Sequence, residues 1–293
     1  MVTARRVTFD SEGETLVGNL FVADEGTRQP AIVLDGPLTS VKEQAQGNYA
    51  RALAEQGFVT LAFDHRFFGE SSGEPRQYES PPKKIEDIHH AITFLMKQNA
   101  VDPERIGAVG VCAGGGYMAG AVADDPRIRA WAAVAGFFHD VEKQREWMGD
   151  GYDAALEAAK AAEREWRETG TAATIPAVGK TGDVAMPLAE AYEFYGTSRG
   201  AVPNYVNAFA VMSRADTLPY DAQSAAARIN IPTLMIHSEK ALAPALARKF
   251  FDALSGPKDI VWFDSQGQID FYDDPKLIEP AAERLAAHFR ERL

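Results

Sequence analysis

Cysteine is almost absent from the chain, and this scarcity excludes several classes of protein. The 293 residues include one cysteine, Cys112, so no disulfide can form within the chain. That composition suits a reducing compartment, and we expect the protein in the cytoplasm. No Cys/His cluster has the spacing of a zinc site, and the sequence predicts neither a bound metal nor a cofactor.

Positive charge and long apolar runs are also scarce. Thirty lysines and arginines stand against 42 aspartates and glutamates, a formal net charge of -12. This balance argues against nucleic acid or an anionic membrane as a partner. No apolar run approaches the roughly 18 residues that would span a bilayer, and the first residues lack an apolar signal segment. A small-molecule substrate is the expected partner, and a homodimer is an expected assembly because symmetric dimers are common.

The single cysteine lies between a predicted strand and a predicted helix. The apolar residues Ile106 to Val111 lead into Gly110-Val111-Cys112-Ala113-Gly114, which matches the G-x-S-x-G nucleophile elbow with sulfur in place of the hydroxyl. The glycines permit the tight turn, and the following helix N-terminus favours a thiolate. A buried, inert cysteine is the alternative. The strand, turn and helix around Cys112 favour a nucleophile.

Strands and helices alternate along most of the chain. Apolar or alternating runs predict strands at 5–9, 15–22, 31–34, 58–63, 106–111, 128–135, 233–236 and 259–263. This order predicts an α/β fold with a mostly parallel sheet and helices on both faces. The alternation stops between residues 138 and 227. We therefore expect residues 1–137 and 228–293 to form the core, and 138–227 to form a helical cap insertion.

Several polar residues follow directly after predicted strands. They are Asp35, Asp64, His65, Cys112, His139, His237 and Asp264. Parallel sheets bind ligands at the carboxyl ends of their strands, so Asp35 and His65 are predicted to contact a substrate. Tyr195 and Tyr205, from an aromatic stretch of the insertion, are predicted to line the pocket. Core packing is the alternative for both tyrosines.

With these residues assembled, the chain resembles the α/β-hydrolase family from end to end. It is most similar to the branch with dienelactone-hydrolase-like and polyketide-transferring members. The resemblance is carried by Gly36-Pro37, Lys42-Glu43-Gln44, the elbow, and residues 64–71 and 265–273. It implies an eight-stranded α/β-hydrolase fold. It also implies that Cys112 is the nucleophile, since dienelactone hydrolases use a cysteine in a comparable elbow.

The chain departs from the family pattern at the base and at the acid. The family's histidine position is occupied by Gln268, and glutamine cannot take up a proton at neutral pH. The position of the family's acid falls near Ala241, where Glu239 could substitute. His139 is the nearest replacement base by topology, although a structural histidine is the alternative. These exchanges predict an atypical triad.

The oxyanion hole of the family requires two backbone donors. The resemblance implies that Ala113 supplies one of them. The loop after the third strand should supply the other, and Pro37 has no N–H to give. Leu38 is therefore predicted as the second donor.

Three functions remain open from the sequence. The first is an enzyme that acts on an ester, lactone or thioester of a hydrophobic small molecule through Cys112, either as a hydrolase or as an acyl transferase. The second is a lyase, cyclase or isomerase that holds an enolate in the same pocket. The third is a binding protein on a catalytically retired hydrolase fold. The missing histidine keeps all three open.

Overall fold

Eight strands form one mixed sheet in the computed structural model, which describes residues 2–23 and 26–293. They are β1 (Ala4–Ser11), β2 (Glu14–Phe21), β3 (Gln29–Asp35), β4 (Val59–Asp64), β5 (Val101–Val111), β6 (Ile128–Val134), β7 (Thr233–His237) and β8 (Lys258–Trp262). Their order in the sheet is β1-β2-β4-β3-β5-β6-β7-β8. β2 runs antiparallel to both of its neighbours. The other six strands, which follow β2 in this order, are all parallel to one another. The predicted fold class is confirmed.

The burial of each strand explains its place in the sheet. β1, at the edge, is exposed or half-buried along most of its length, whereas β2 is mostly buried. The two strands meet in a two-residue turn at Glu12 and Gly13, where φ is 54° and 88°. Positive φ at both positions gives the turn a twist that matches a hairpin. β4 is buried along its whole length, as an interior strand of a sheet covered on both faces should be.

Ten helices accompany the sheet in the described ranges. They are α1 (Ala45–Glu55), α2 (Pro81–Leu95), α3 (Ala113–Asp124), α4 (Val141–Met148), α5 (Gly151–Thr169), α6 (Ala189–Tyr195), α7 (Arg214–Thr217), α8 (Pro244–Ala253), α9 (Asp270–Asp273) and α10 (Pro275–Arg292). α3 follows the elbow and is buried from Ala113 to Val122. None of the helices in the described parts of the chain has the length and apolar character needed to cross a bilayer.

The segment predicted as a cap, residues 138–227, lies between β6 and β7. It contains α4 to α7 and a two-stranded ribbon of Thr174–Ile175 and Phe209–Ala210, which the sequence did not predict. Tyr220 donates a hydrogen bond to the carbonyl of Gly116 in α3 at 2.8 Å. The segment therefore packs against the first turns of the helix that follows Cys112. Its status as a separate unit stays a prediction.

Candidate active site at Cys112

The backbone at Cys112 has the strained conformation of a nucleophile elbow. Its φ is +55° and its ψ is −124°, a combination that a residue with a Cβ rarely adopts. A Cβ at Gly110 would lie 2.3 Å from the carbonyl oxygen of Gly114, and one at Gly114 would lie 2.7 Å from that of Gly36. Only glycine fits at these two positions. The turn thus places Cys112 directly after β5 and packs Gly114 against the backbone at the end of β3.

Three hydrogen-bond donors surround the sulfur of Cys112. Burial raises the pKa of the thiol, and the nearby donors of the Tyr272 hydroxyl, the Ala113 amide and the Gln268 side chain oppose that rise. The resting thiol is therefore neutral, but a thiolate formed during a reaction would have three donors to stabilise it. Among the described residues, no histidine or carboxylate hydrogen bonds to this sulfur.

Gln268, which the sequence places at the family's histidine position, is held by two hydrogen bonds of its side chain. Its Nε2 donates to the carbonyl oxygen of Ala135 at 2.8 Å, and its Oε1 accepts from the amide of Leu242 at 2.9 Å. Because Leu242 fixes the oxygen, the NH₂ group points to Ala135 and to the sulfur. The side chain is buried, 1 % exposed. The group that faces Cys112 is thus a hydrogen-bond donor and not a base.

Tyr272 is a site residue that the sequence interpretation missed. It lies on α9, and its side chain is fully buried beside the sulfur. Burial and the neighbouring Cys112 raise its pKa well above the usual value, so the phenol remains protonated and donates. The sequence could have pointed to Tyr272, because it lies four residues after Gln268 in the segment 265–273 that carries the family resemblance.

A cavity of about 660 Å³ opens beside Cys112. Its apolar walls include Leu38, Leu188, Ala191, Phe209, Leu218 and Leu242. Core loops contribute some of these residues, and the 138–227 segment contributes others. The predicted oxyanion donors, Leu38 and Ala113, both border this cavity together with Cys112. The arrangement suits a hydrophobic small molecule with its reacting carbonyl at the elbow.

His139 lies in the cavity wall, but it is not a partner of the sulfur. Burial, together with the charge of Lys84, lowers the pKa of its imidazole to about 3. The ring stacks on Tyr117 with centroids 5.4 Å apart, and its Nδ1 has no hydrogen-bond partner among the described residues. A neutral, weakly basic imidazole is a poor candidate for the missing base. The catalytic role of His139 therefore stays a prediction, and the low pKa of its imidazole argues against it.

The two predicted pocket tyrosines lie at different depths. Tyr195 lines the cavity, whereas Tyr205 packs behind it with ring centroids 5.1 Å apart. Both hydroxyls are buried and lack a hydrogen-bond partner in the described part of the chain. Contact of Tyr195 with a substrate stays a prediction that the geometry supports. Tyr205 supports the ring of Tyr195 and does not form part of the cavity wall.

Glu239 does not reach the site. Its side chain is exposed, and its carboxylate pairs with Arg248 on the surface. The acceptor Oε1 of Gln268 instead accepts from the backbone amide of Leu242, and no carboxylate of the described residues hydrogen bonds to the side-chain amide of Gln268. The predicted substitution of Glu239 for the family's acid is therefore corrected: the strand end placed it nearby, but its side chain turns to solvent.

Asp35 and His65, predicted to contact a substrate, lie instead in a buried ion cluster outside the cavity wall. His65 Nε2 is 2.9 Å from Asp35 Oδ1, and its Nδ1 is 3.2 Å from Asp87 Oδ2. Burial opposes a charge on the imidazole, but the two carboxylates outweigh it and raise the pKa of His65. Asp35 also accepts from the amide of Gly36 at 2.7 Å. The cluster thus fixes the start of the loop that carries Leu38.

The buried charges of Lys42, Asp64 and Glu79, together with the exposed Glu70, hold the rest of that loop, residues 36–42. Lys42 Nζ lies 2.7 Å from Asp64 and 2.6 Å from Glu70, and the amide of Thr39 donates to Glu79 at 3.2 Å. Asp64, at the end of β4, and Glu70, in the turn that follows it, therefore hold this loop through Lys42. Moving the loop would break these contacts and leave buried charges without partners, which is costly. The contacts therefore restrict the motion of the loop.

Replacing His65 by glutamine is expected to destabilise the protein in a pH-dependent way. Removing one partner of a buried ion cluster should cost about 3 kcal/mol at pH 6. His65 has a raised pKa in the folded state. Its stabilising charge is therefore fully present below the unfolded pKa of about 6.5 and is lost as the pH rises toward the folded pKa. Urea unfolding at pH 6 and pH 9 should show the gap between His65→Gln and wild type narrowing at pH 9.

The matched control for this prediction is His90→Gln. His90 lies on α2 and is partly exposed, and no hydrogen bond or ion pair of its side chain occurs in the described ranges. Its replacement should change the free energy of unfolding by less than about 0.5 kcal/mol at either pH. The difference in the free energy of unfolding between wild type and His65→Gln should not be the same at pH 6 and pH 9. An equal difference would contradict a charged His65.

Comparison with known proteins places this fold and elbow in a family. The family described as serine aminopeptidase S33, Hydrolase_4, matches residues 39–177. Protein PA2218 of Pseudomonas aeruginosa is 33% identical over 309 aligned positions, which cover 100% of this chain and 81% of the relative. The crystal structure of that hypothetical protein has a TM-score of 0.87 and covers 100% of this chain and 94% of its own.

Two fungal relatives carry names that describe an activity. Thiohydrolase aneE of Aspergillus aculeatus is 38% identical over 123 residues, which are 42% of this chain and 38% of the relative. Polyketide transferase grgF of a Penicillium species is 33% identical over 42% of both chains. The crystal structure of the α/β hydrolase GrgF has a TM-score of 0.84, covers 99% of this chain and 98% of its own, and at 24% identity shows the fold alone. Taken with the sheet order and the elbow, these matches show that the chain belongs to the α/β-hydrolase family and is an enzyme of that family.

Proposed function

We propose that the protein transfers an acyl group from a thioester to a small-molecule acceptor through a covalent adduct on Cys112. One observation carries the proposal: the sulfur lies among the donors of Tyr272, Ala113 and Gln268, without a base beside it in the described part of the chain. Such surroundings stabilise a thiolate as it forms or leaves. They do not activate water.

Acylation would follow from the geometry at the elbow. The sulfur of Cys112 attacks the acyl carbonyl carbon, a new S–C bond forms, and the bond to the departing thiolate breaks. The proton of Cys112 ends on that thiolate, so no separate base is consumed. The amides of Ala113 and Leu38 would hold the carbonyl oxygen while it carries negative charge.

The leaving group favours a thioester over an alkyl ester. A thiol leaving group has a pKa close to the value of about 8.5 for cysteine, so exchange between the two sulfurs is nearly balanced. An alkoxide is a far stronger base, and Gln268 cannot protonate it as a histidinium would. The name of the thiohydrolase relative is consistent with a thioester substrate.

Deacylation distinguishes transfer from hydrolysis. Attack by water on the acyl-cysteine requires a group that removes a proton, and Gln268 faces the sulfur with its NH₂ group. A better nucleophile, bound in the apolar cavity, needs less help. It would take the acyl group and return its proton to the sulfur of Cys112. The name of the grgF relative, a polyketide transferase, supports transfer over hydrolysis.

Whole-protein mass spectrometry tests the acylation step. Octanoyl-N-acetylcysteamine, an uncharged thioester, should add one octanoyl group to each chain, and peptide mapping should place that group on Cys112. Ethyl octanoate at the same concentration should give no adduct because its leaving group is an alkoxide. An adduct on another residue, or equal labelling by the ethyl ester, would contradict the proposal.

A second candidate is a lyase, cyclase or isomerase in the same cavity. The observation that favours it is the burial that raises the pKa of Cys112 and keeps the resting thiol neutral. In this case the sulfur donates a hydrogen bond, and the oxyanion donors hold an enolate. Such an enzyme would turn over its substrate without a covalent adduct and would keep activity when Cys112 is replaced by serine.

A further inference from the structure

Glu190 connects the segment above the cavity to the loop that carries Gln268. It lies on α6, where its Oε1 accepts a hydrogen bond from the amide of Gln268 at 3.2 Å. Its Oε2 accepts from the amide of Ile269 at 3.3 Å. One carboxylate thus accepts hydrogen bonds from two consecutive backbone amides, which lie 78 and 79 residues after Glu190 in the sequence. No sequence motif marked this residue.

Gly267 lies directly against the carboxylate of Glu190. A Cβ at this position would lie 2.1 Å from Oε2 of Glu190, well inside van der Waals contact. The absence of a side chain at residue 267 therefore lets the carboxylate approach the backbone of the next two residues. The contact between α6 and this loop thus depends both on the carboxylate of Glu190 and on the glycine at position 267.

The backbone held by Glu190 determines where the Gln268 amide lies. We infer that Glu190 is a positioning residue for acyl transfer, because it fixes the backbone from which Gln268 reaches the sulfur of Cys112 and the carbonyl of Ala135. This inference rests on the proposed function for its catalytic meaning. Its structural part does not, since it concerns only the contact between Gln268 and the sulfur.

The same helix forms part of the substrate cavity. Ala191 and Tyr195 of α6 line the cavity, and Glu190 precedes them directly. The charge of Glu190 also reaches the sulfur and raises the pKa of Cys112, after the larger effect of burial. Replacing Glu190 therefore has two effects on the thiol: it removes a charge, and it releases Gln268. An experiment must separate them.

A double-mutant cycle on Cys112 alkylation separates the two effects. The rate of reaction with iodoacetamide at fixed pH is measured for wild type, Glu190→Ala, Gln268→Ala and the double variant. Cys112 is the single cysteine, so labelling reports on this sulfur alone. The charge effect is the same in both backgrounds and cancels in the comparison. Two ratios are compared: the alkylation rate of Glu190→Ala divided by that of wild type, and the rate of the double variant divided by that of Gln268→Ala. We expect the first ratio to be about tenfold smaller than the second.

Gly267→Ala tests the contact from the other side. It should lower the alkylation rate of wild type, because its Cβ displaces the carboxylate, and it should leave the rate of Glu190→Ala unchanged. Glu193→Gln, on an exposed position of α6, is the control and should behave as wild type. Equal ratios in the two backgrounds would overturn the positioning role. Alkylation requires no acyl substrate, so the cycle can succeed or fail independently of the thioester experiment.

Discussion

Replacing Cys112 by alanine is expected to lower acyl transfer from a thioester by at least about 10³-fold, because the nucleophile of a covalent pathway is lost. Serine should recover little of this activity. A hydroxyl is a much weaker nucleophile than a thiol, and Gln268 cannot remove its proton. Steady-state formation of the benzyl thioester from octanoyl-N-acetylcysteamine and benzyl mercaptan measures the loss.

Two observations keep this result interpretable. Thiol titration should fall from one thiol per chain to none in Cys112→Ala, since the sequence has a single cysteine. The thermal midpoint should change by only a few degrees, because the substitution removes one buried sulfur atom from a fold that it does not otherwise alter. Substantial turnover by a folded Cys112→Ala protein would contradict covalent catalysis and would favour a lyase, cyclase or isomerase.

The second large effect concerns the hydrolysis of the acyl-enzyme. Replacing Gln268 by histidine should not by itself restore a hydrolase. The amide of Leu242 donates to the position now taken by Oε1 of Gln268, so an imidazole there would accept through one nitrogen and carry its proton on the other. That proton would face the sulfur, which is the wrong tautomer for a base. We expect the rate of hydrolysis to rise less than about tenfold.

Adding Ala241→Asp should change this outcome. Ala241 precedes the Leu242 amide directly and falls near the family's acid position. An aspartate there would accept the proton of the imidazole, reverse the tautomer and leave a base toward the sulfur. Decay of the acyl-enzyme should then accelerate about 10²-fold or more. Ala241→Asp alone is the control and should hydrolyse as slowly as wild type. Equal acceleration by Gln268→His alone would show that Leu242 does not control the tautomer.

Local sequence patterns predicted the fold and the elbow correctly because they depend on neighbouring residues. The apolar run before Cys112 and the small residues after it specify a strand, a turn and a helix between Val101 and Asp124. The departure at Gln268 was visible for the same reason, since its segment matched a family pattern. The structure brings this glutamine to the sulfur.

Side-chain direction explains where the sequence interpretation failed. A strand end fixes the position of a backbone, but it does not determine whether a carboxylate points to a cavity, to solvent or to a buried ion. Asp35 turned to His65, and Glu239 turned to Arg248. Glu190 was missed because it belongs to a helix almost 80 residues before the loop that it holds. A cytoplasmic location, a homodimer and the absence of a cofactor stay predictions.

The lifetime of the acyl group on Cys112 tests the central claim most directly. The protein is acylated with octanoyl-N-acetylcysteamine and freed of excess thioester. Its mass is then followed in buffer alone and in buffer with benzyl mercaptan. The proposal predicts that the adduct persists in buffer and that the thiol removes it at least about 10²-fold faster, since water has no base to activate it. Decay in buffer as fast as decay with the thiol would contradict the claim and make the protein a hydrolase.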